Sequence, residues 1–272
     1  MQEYIYVNGS FEKAEEARIH VTDLALLRGY GIFDFFRAIE GKPIFIEDHL
    51  DRFENSARLM GLPIPESREK LREIILETIR LNPYPLLGIK MILTGGYSPD
   101  GYTPTQPSNL VVIGKPFEFK DPHKGLKLLS MNYKREIPEI KTLSYIVPIR
   151  AIPQMKAAQA DDLLYHHEGI VSESSRSNIF IVKNNIIVTP KEGALFGITR
   201  KHVIQLASQH FEVQERDVSL QEYLEADEVF TTGSTKRIVA ISQTDDTVFN
   251  QGQIGPVTKQ LQNLFLQYEQ QS

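Results

Sequence analysis

Along the first hundred or so residues the apolar positions switch between two periods. Tyr4 to Val7, Ile32 to Ile39, Gly88 to Thr94 and Leu110 to Gly114 are short runs rich in β-branched and aromatic residues, and each predicts a strand. Glu66 to Leu81 carries a polar face over a helical length and predicts a helix. Strands and helices mixed in one stretch imply a single α+β unit. The segment Lys115-Pro116-Phe117-Glu118-Phe119-Lys120-Asp121-Pro122-His123-Lys124-Gly125 keeps neither period and holds two prolines, a glycine and several charges, as a linker does. The expected organisation is therefore a small N-terminal α+β domain over 1–115, an interdomain linker over 116–125 and a larger C-terminal domain over 126–272.

Beyond the linker, Leu126 to Met131 predicts a strand and Val147 to Ala160 a helix. Ile179 to Val188 predicts a hairpin turning at Asn184-Asn185, since asparagine tolerates a positive φ. Arg200 to Phe211 follows as a helix with Val203, Ile204 and Ala207 on one side. The last helix, Gly255 to Tyr268, repeats Val257, Leu261, Leu264 or Phe265, and Tyr268 at helical spacing, so it packs one face. No internal repeat or low-complexity stretch interrupts this pattern.

Composition narrows the partners. With 41% apolar and 24% charged residues over 272 positions, the chain has the make-up of an ordinary globular protein with a core of normal size. Its net charge of −5 and the lack of a long basic block argue against nucleic acid and leave small anions as ligands. The absence of cysteine excludes disulfides, thiol nucleophiles and Cys-ligated metals. The start Met1-Gln2-Glu3-Tyr4 lacks the regions of a signal peptide, and no apolar run approaches the ~20 residues of a membrane span. The expectation is a cytoplasmic protein with no membrane partner.

Several short segments point to one chemistry. In order they are Glu139-Ile140-Lys141-Thr142-Leu143, Gly169-Ile170-Val171-Ser172-Glu173-Ser174-Ser175-Arg176-Ser177-Asn178-Ile179-Phe180, Thr189-Pro190, Gly197-Ile198-Thr199-Arg200, Ala226-Asp227-Glu228-Val229-Phe230 and Gly233-Ser234-Thr235. Upstream stand Gly29-Tyr30-Gly31-Ile32-Phe33-Asp34-Phe35-Phe36-Arg37 and His49-Leu50-Asp51-Arg52-Phe53. Together these segments resemble the signature of the fold-type-IV, pyridoxal-phosphate-dependent class IV aminotransferase family, which includes D-amino-acid and branched-chain aminotransferases and aminodeoxychorismate lyase. The resemblance covers nearly the whole chain. It implies the two-domain D-amino-acid aminotransferase-like fold, mixed α+β and α/β, with pyridoxal 5'-phosphate as cofactor, no metal, and a homodimer whose sites are completed by first-domain residues of the neighbour.

The same resemblance implies roles. Such chemistry requires a lysine amine that joins the cofactor aldehyde and later moves the substrate's α-proton, and Lys141 stands at that position. Glu173 stands where a carboxylate faces the pyridine nitrogen; the alternative is a solvated glutamate at a strand end. The N–H groups of Ile198 and Thr199 at a helix start would cradle the phosphate, with Thr199 also read as an N-cap. Ser234 and Thr235 would add hydroxyl donors and Arg52 a cation. Tyr145 would bond the ring hydroxyl, although branched-chain members carry that tyrosine one residue later, where this chain has Ile146, and a core tyrosine is the alternative.

Substrate choice rests on the groups that hold carboxylates. D-amino-acid members usually carry an Arg-x-His trap where this chain has Asp100-Gly101-Tyr102. In exchange, Arg176 stands where relatives have Gly or Ser, Lys236-Arg237 where many have Ala-Glu or Ser-Glu, and Arg28 where an uncharged residue is usual. Arg28, Arg176, Phe33, Thr235 and Lys236 are the expected substrate contacts, because a planar guanidinium grips a carboxylate bidentately. The alternative is structural, with Arg176 paired to a nearby acid and Arg28 to Asp23 or Asp34. The leading expectation is a transaminase for D-amino acids, D-alanine or D-glutamate with 2-oxoglutarate, using a rebuilt carboxylate trap. Branched-chain L-amino-acid transamination comes second and 4-amino-4-deoxychorismate lyase third. A cofactor-binding protein without turnover is disfavoured by the presence of both Lys141 and Glu173.

Overall fold

The computed structural model describes residues 3–105, 107–119, 121 and 124–271, so Lys120, Pro122 and His123 of the expected linker lie outside the described residues. The chain divides into two compact units: unit 1 runs to Glu118 and adds Ile140–Tyr145, and unit 2 holds Phe119–Glu139 and everything from Ile146 on. The division falls inside the expected linker, but it returns 140–145 to the first unit. The reason is backbone pairing. Phe33 N–H donates to the Lys141 carbonyl at 2.9 Å and Leu143 N–H to the Gly31 carbonyl at 3.0 Å, so Ile32 and Thr142 form an antiparallel bridge.

Unit 1 contains β1 (Tyr4–Val7), β2 (Ser10–Lys13), α1 (Leu24–Arg28), β3 (Gly31–Ile39), β4 (Lys42–Pro43), α2 (Ile46–Met60), α3 (Arg68–Leu81), β5 (Leu86–Thr94) and β6 (Leu110–Pro116). Its six strands form one sheet in the order β2-β1-β6-β5-β3-β4. Alternation along the strands sorts the two faces. Ile32, Phe36 and Ala38 of β3 join Leu87, Ile89, Met91 and Leu93 of β5 and the buried stripes of α2 and α3 in the core. Phe33, Phe35 and Lys90 fall on the opposite face, because Phe35 pairs with Lys90 and Phe33 with Ile92. The predicted helix from Glu66 starts at Arg68, since Ser67 is extended and its side chain caps the Lys70 N–H at 3.2 Å.

Unit 2 contains β7 (Leu126–Asn132), α4 (Ile146–Arg150), α5 (Ile152–Ala157), β8 (Asp162–His167), β9 (Ile170–Ser174), β10 (Ser177–Lys183), β11 (Ile186–Thr189), α6 (Ile198–Ala207), β12 (Val213–Glu215), β13 (Val218–Ser219), α7 (Leu220–Leu224), β14 (Glu228–Gly233), β15 (Arg237–Thr244), β16 (Thr247–Val248) and α8 (Pro256–Gln270). Six of these strands close a ring: β10 pairs with β14, β14 with β15, β15 with β7, β7 with β8, β8 with β9, and β9 with β10. Closure removes sheet edges from that part of the unit. The hairpin turns at Asn184 and Asn185 with φ of 52° and 64°, as their residue type predicts. The single helix predicted over 147–160 is instead α4 and α5 separated at Ala151, because Pro153 has no N–H and its ring crowds the carbonyl four residues earlier. No helix among the described residues is long and apolar enough to cross a membrane.

Candidate active site

In unit 1 the expected residues gather on Phe33. The Lys141 ammonium lies 4.6 Å from the centre of the Phe33 ring, and the Tyr145 ring is 5.8 Å away at 58°. Lys141 owes its position to the bridge onto β3, while β3's alternation turns Phe33 out of the core toward it. A second ammonium, that of Lys90, sits 4.7 Å from the same ring. Burial depresses the Lys90 pKa below the usual lysine range, with no acid contributing. Lys90 was not among the expected site residues, though a lone cation inside the apolar run 86–94 was the signal for it.

Arg52, expected at the phosphate, is held on α2 by a buried carboxylate. Its Nε donates to Asp34 Oδ2 and its Nη2 to Asp34 Oδ1, both at 2.8 Å. His49 Nδ1 stands 2.7 Å from Asp34 Oδ1. Burial pushes the Asp34 carboxyl up, but Arg52 and His49 hold it well below the usual carboxylate range. Burial lowers the His49 pKa, with Asp34 opposing the shift. The Nε and Nη2 edge of the guanidinium is committed to Asp34; Nη1 is not consumed by that pair.

Arg28 is exposed on α1, and its Nη1 donates to the Leu27 carbonyl at 3.0 Å. Neither acid expected as its structural partner takes it. Asp23 accepts from Ala25 N–H at 2.7 Å and from Thr94 Oγ1 and Asn109 Nδ2 at 2.6 Å, and Asp34 belongs to Arg52 and His49. Asp100, where relatives have the trap, folds its own loop by accepting from the N–H groups of Tyr102 and Thr103 at 2.9 and 2.7 Å.

In unit 2 four expected elements meet through strand register. Glu173 on β9 is 4% exposed; its Oε1 accepts from Arg135 Nη1 and its Oε2 from the Leu195 N–H, each at 3.0 Å. A buried carboxylate persists only when its oxygens are answered in this way. Asn178 on β10 pairs with Glu173 on one side and with Thr232 of β14 on the other. Its Nδ2 donates to the Leu195 carbonyl at 2.7 Å, and a Cβ on Gly197 would stand 2.0 Å from its Oδ1, so only glycine fits there. Gly197 is the extended N-cap of α6, which makes Ile198 and Thr199 the first two helical residues. Thr199 is therefore not the N-cap the sequence implied; the free N–H groups of a helix start still belong to these residues. Ser234, Thr235 and Lys236 form the turn between β14 and β15, closed by Lys236 N–H to the Gly233 carbonyl at 3.0 Å.

One more carboxylate joins two of these segments. Asp162, at the start of β8, accepts from Lys236 Nζ at 2.9 Å, from Ser175 Oγ in a short bond, and lies 3.7 Å from an Arg176 nitrogen. Burial raises its pKa, but Lys236 and Arg176 lead the interactions that bring it below the usual value. The structural pairing expected for Arg176 thus has its acid, with Arg176 itself 61% exposed. Neither Arg135 nor Asp162 was expected from the sequence. No group of three or more histidine, aspartate or glutamate residues able to hold a metal occurs among the described residues.

Comparison with known proteins gives one answer at the family level. The family model described as amino-transferase class IV matches residues 31–244. The chain is similar to a putative branched-chain-amino-acid aminotransferase of Methanocaldococcus jannaschii, 33% identical over 96% of this chain and 94% of that one. It is also similar to a D-alanine aminotransferase of Staphylococcus epidermidis, 26% identical over 98% of both chains. Among solved structures, a T.th. branched-chain amino acid aminotransferase with pyridoxamine 5'-phosphate superposes with a TM-score of 0.91 at 29% identity, covering 98% of this chain and 94% of that one.

Proposed function

We propose, for a chain that belongs to the class IV aminotransferases and is therefore a pyridoxal-phosphate enzyme, that Lys141 carries the cofactor and that the amino acids served are gripped by charge, D-amino acids first. The residues of unit 2 fit the cofactor. Glu173 offers a buried anion, α6 offers the N–H groups of Ile198 and Thr199, and Gly197 keeps side-chain atoms away from that helix start. On β8 and β14, the Tyr165 and Thr232 hydroxyls are buried and have no hydrogen-bond partner among the described residues, as polar groups awaiting a ligand do.

When bound, the cofactor supplies an electron sink for the bonds at the substrate's Cα. Lys141 would take the proton from the substrate's Cα and return it to the cofactor's C4′ carbon, and its place against Phe33 restricts the arc its amine sweeps. Glu173, kept in position by Arg135 and Leu195, holds a proton at the ring nitrogen. Ile198, Thr199, Ser234 and Thr235 would bind the phosphate through N–H and hydroxyl donors, and Arg52 is proposed as its cation on the family resemblance. Tyr145 bonds the ring hydroxyl.

The observation that carries the substrate reading is Lys90. A desolvated ammonium against the same Phe33 ring as Lys141, with no acid to answer it among the described residues, calls for an anion, and a substrate carboxylate would supply one. Asp162 adds to this, because a single carboxylate shared between Arg176 and Lys236 leaves that group with one net positive charge. Arg28, exposed and without an acid partner among the described residues, extends the same character. This charge suits D-glutamate, D-alanine and 2-oxoglutarate. Branched-chain L-amino acids are the second reading, favoured by the likeness to the M. jannaschii and T.th. proteins and by the apolar ring of Phe33 beside Lys141.

The test mixes the yellow holoenzyme with D-alanine, D-glutamate, L-leucine or L-glutamate singly and follows bleaching of the visible cofactor band. The D-amino acids should bleach it fastest; faster loss with L-leucine and L-glutamate would replace this reading by the branched-chain one. We also propose a homodimer. Exposed Val21 and Leu26 in unit 1, and Ile146, Ile149 and Phe196 in unit 2, are apolar surface that a second copy would cover, and light scattering at twice the chain mass is the expected result.

A further inference from the structure

Of the pair Lys236-Arg237, the reaction gives work only to the lysine. Arg237 stands at the end of the Ser234–Lys236 turn, opposite Gly233, with φ of 60°. The last position of such a turn is usually glycine, because a Cβ is strained in the left-handed region. Arg237 is held there from two sides. Its Nε donates to Glu269 Oε2 at 2.7 Å, its Nη2 makes a second short contact with the same oxygen, and its guanidinium lies 3.9 Å from the centre of the Phe119 ring. Glu269 is only 2% exposed and sits in the last turn of α8, where the helix dipole disfavours an anion, so its presence requires a cationic partner. The same helix also grips the next residue, since Gln262 Nε2 donates to the Ile238 carbonyl at 3.1 Å.

We propose that Arg237 is a positioning residue for the cofactor phosphate: anchored to Glu269 and stacked on Phe119, it locks the Ser234–Lys236 turn so that its donors are fixed before the phosphate arrives. Donors set in advance lose little entropy on binding, which strengthens and prolongs the complex. The inference rests on the proposed reading that this turn holds the phosphate.

Two measurements on the holoenzyme test it: the rate at which pyridoxal phosphate leaves into an excess of a trapping apoenzyme, and the 31P resonance of the bound phosphate. Glu269→Gln removes the anchor's charge, and Arg237→Gly removes its side chain while suiting the turn's φ. Both should speed release about tenfold or more, the lower end for a lost charged hydrogen bond, and shift or broaden the 31P line. Arg237→Lys, which keeps the charge but not the fork, should fall between them and wild type. If both anchor variants leave release and resonance at wild-type values while Ser234→Ala changes them, the anchor is structural only and the proposal is overturned. If Ser234→Ala and Thr235→Ala change neither, the turn does not hold the phosphate and this inference falls with that reading.

Discussion

Asp34 in unit 1 and Asp162 in unit 2 are both buried carboxylates with two cationic or histidine partners, yet they use their charge in opposite ways. Asp34 is closed: Arg52 and His49 fill it with bonds of 2.7 to 2.8 Å, Phe35 N–H adds another at 2.7 Å, and the carboxylate and His49 are buried while Arg52 is partly so. Asp162 is open: Ser175 and the Leu163 N–H satisfy one oxygen, while Lys236 and Arg176 share the other, 18% and 61% exposed. A closed group spends its charge on stability and on aiming one guanidinium. An open group with more cations than anions keeps positive potential for a ligand. On the proposed reading, the difference between these two acids separates architecture from recognition.

Breaking the closed group should have the largest effect. Asp34→Asn leaves partly buried Arg52 beside a neutral amide, and since loss of one partner from a fully buried pair costs about 3–5 kcal/mol, urea unfolding should show a loss approaching that size. A loss under about 1 kcal/mol would mean the trio is solvated and the contrast with Asp162 is void.

Asp162→Asn should act on substrate instead. Arg176 and Lys236 lose the carboxylate that aims them, so KM for 2-oxoglutarate should rise about tenfold, as for one charged hydrogen bond, with a smaller stability change than Asp34→Asn gives. Unchanged KM together with a large fall in melting temperature would move Asp162 into the closed class.

The smallest effect is on pH. Burial lowers the pKa of His49 in the fold, so the unfolded chain binds its proton first, from about pH 6.5. Its contribution is present above that pH and is lost as pH falls, with a slope of up to about 1.4 kcal/mol per pH unit. Asp34, lowered in the fold, adds a second loss only below about pH 4. Unfolding free energy measured from pH 7 to 5 should therefore decline more steeply in wild type than in His49→Gln. Equal slopes would show that His49 is charged in the native state.

What the sequence revealed followed from local repetition. The strands of unit 1 were legible because β3 and β5 alternate toward one buried face, and the 184–185 turn because asparagine suits a positive φ. The placement of Lys141 with unit 1 was not, since it depends on a single bridge to Ile32 over a hundred residues away. Arg135 and Asp162 stayed hidden for the same reason: their partners Glu173 and Lys236 lie 38 and 74 residues off, and no periodicity links them. Thr199 was misplaced because a glycine in extended conformation, rather than a hydroxyl side chain, begins α6.

Lys141 is the proposed carrier of the cofactor. Borohydride added to the holoenzyme, followed by proteolysis and mass mapping, reads it directly. The expected result is the reduced cofactor mass on the peptide containing Lys141 and no fixed cofactor in Lys141→Ala. Cofactor fixed on another lysine of the wild type, or an adduct that survives in Lys141→Ala, would contradict the account.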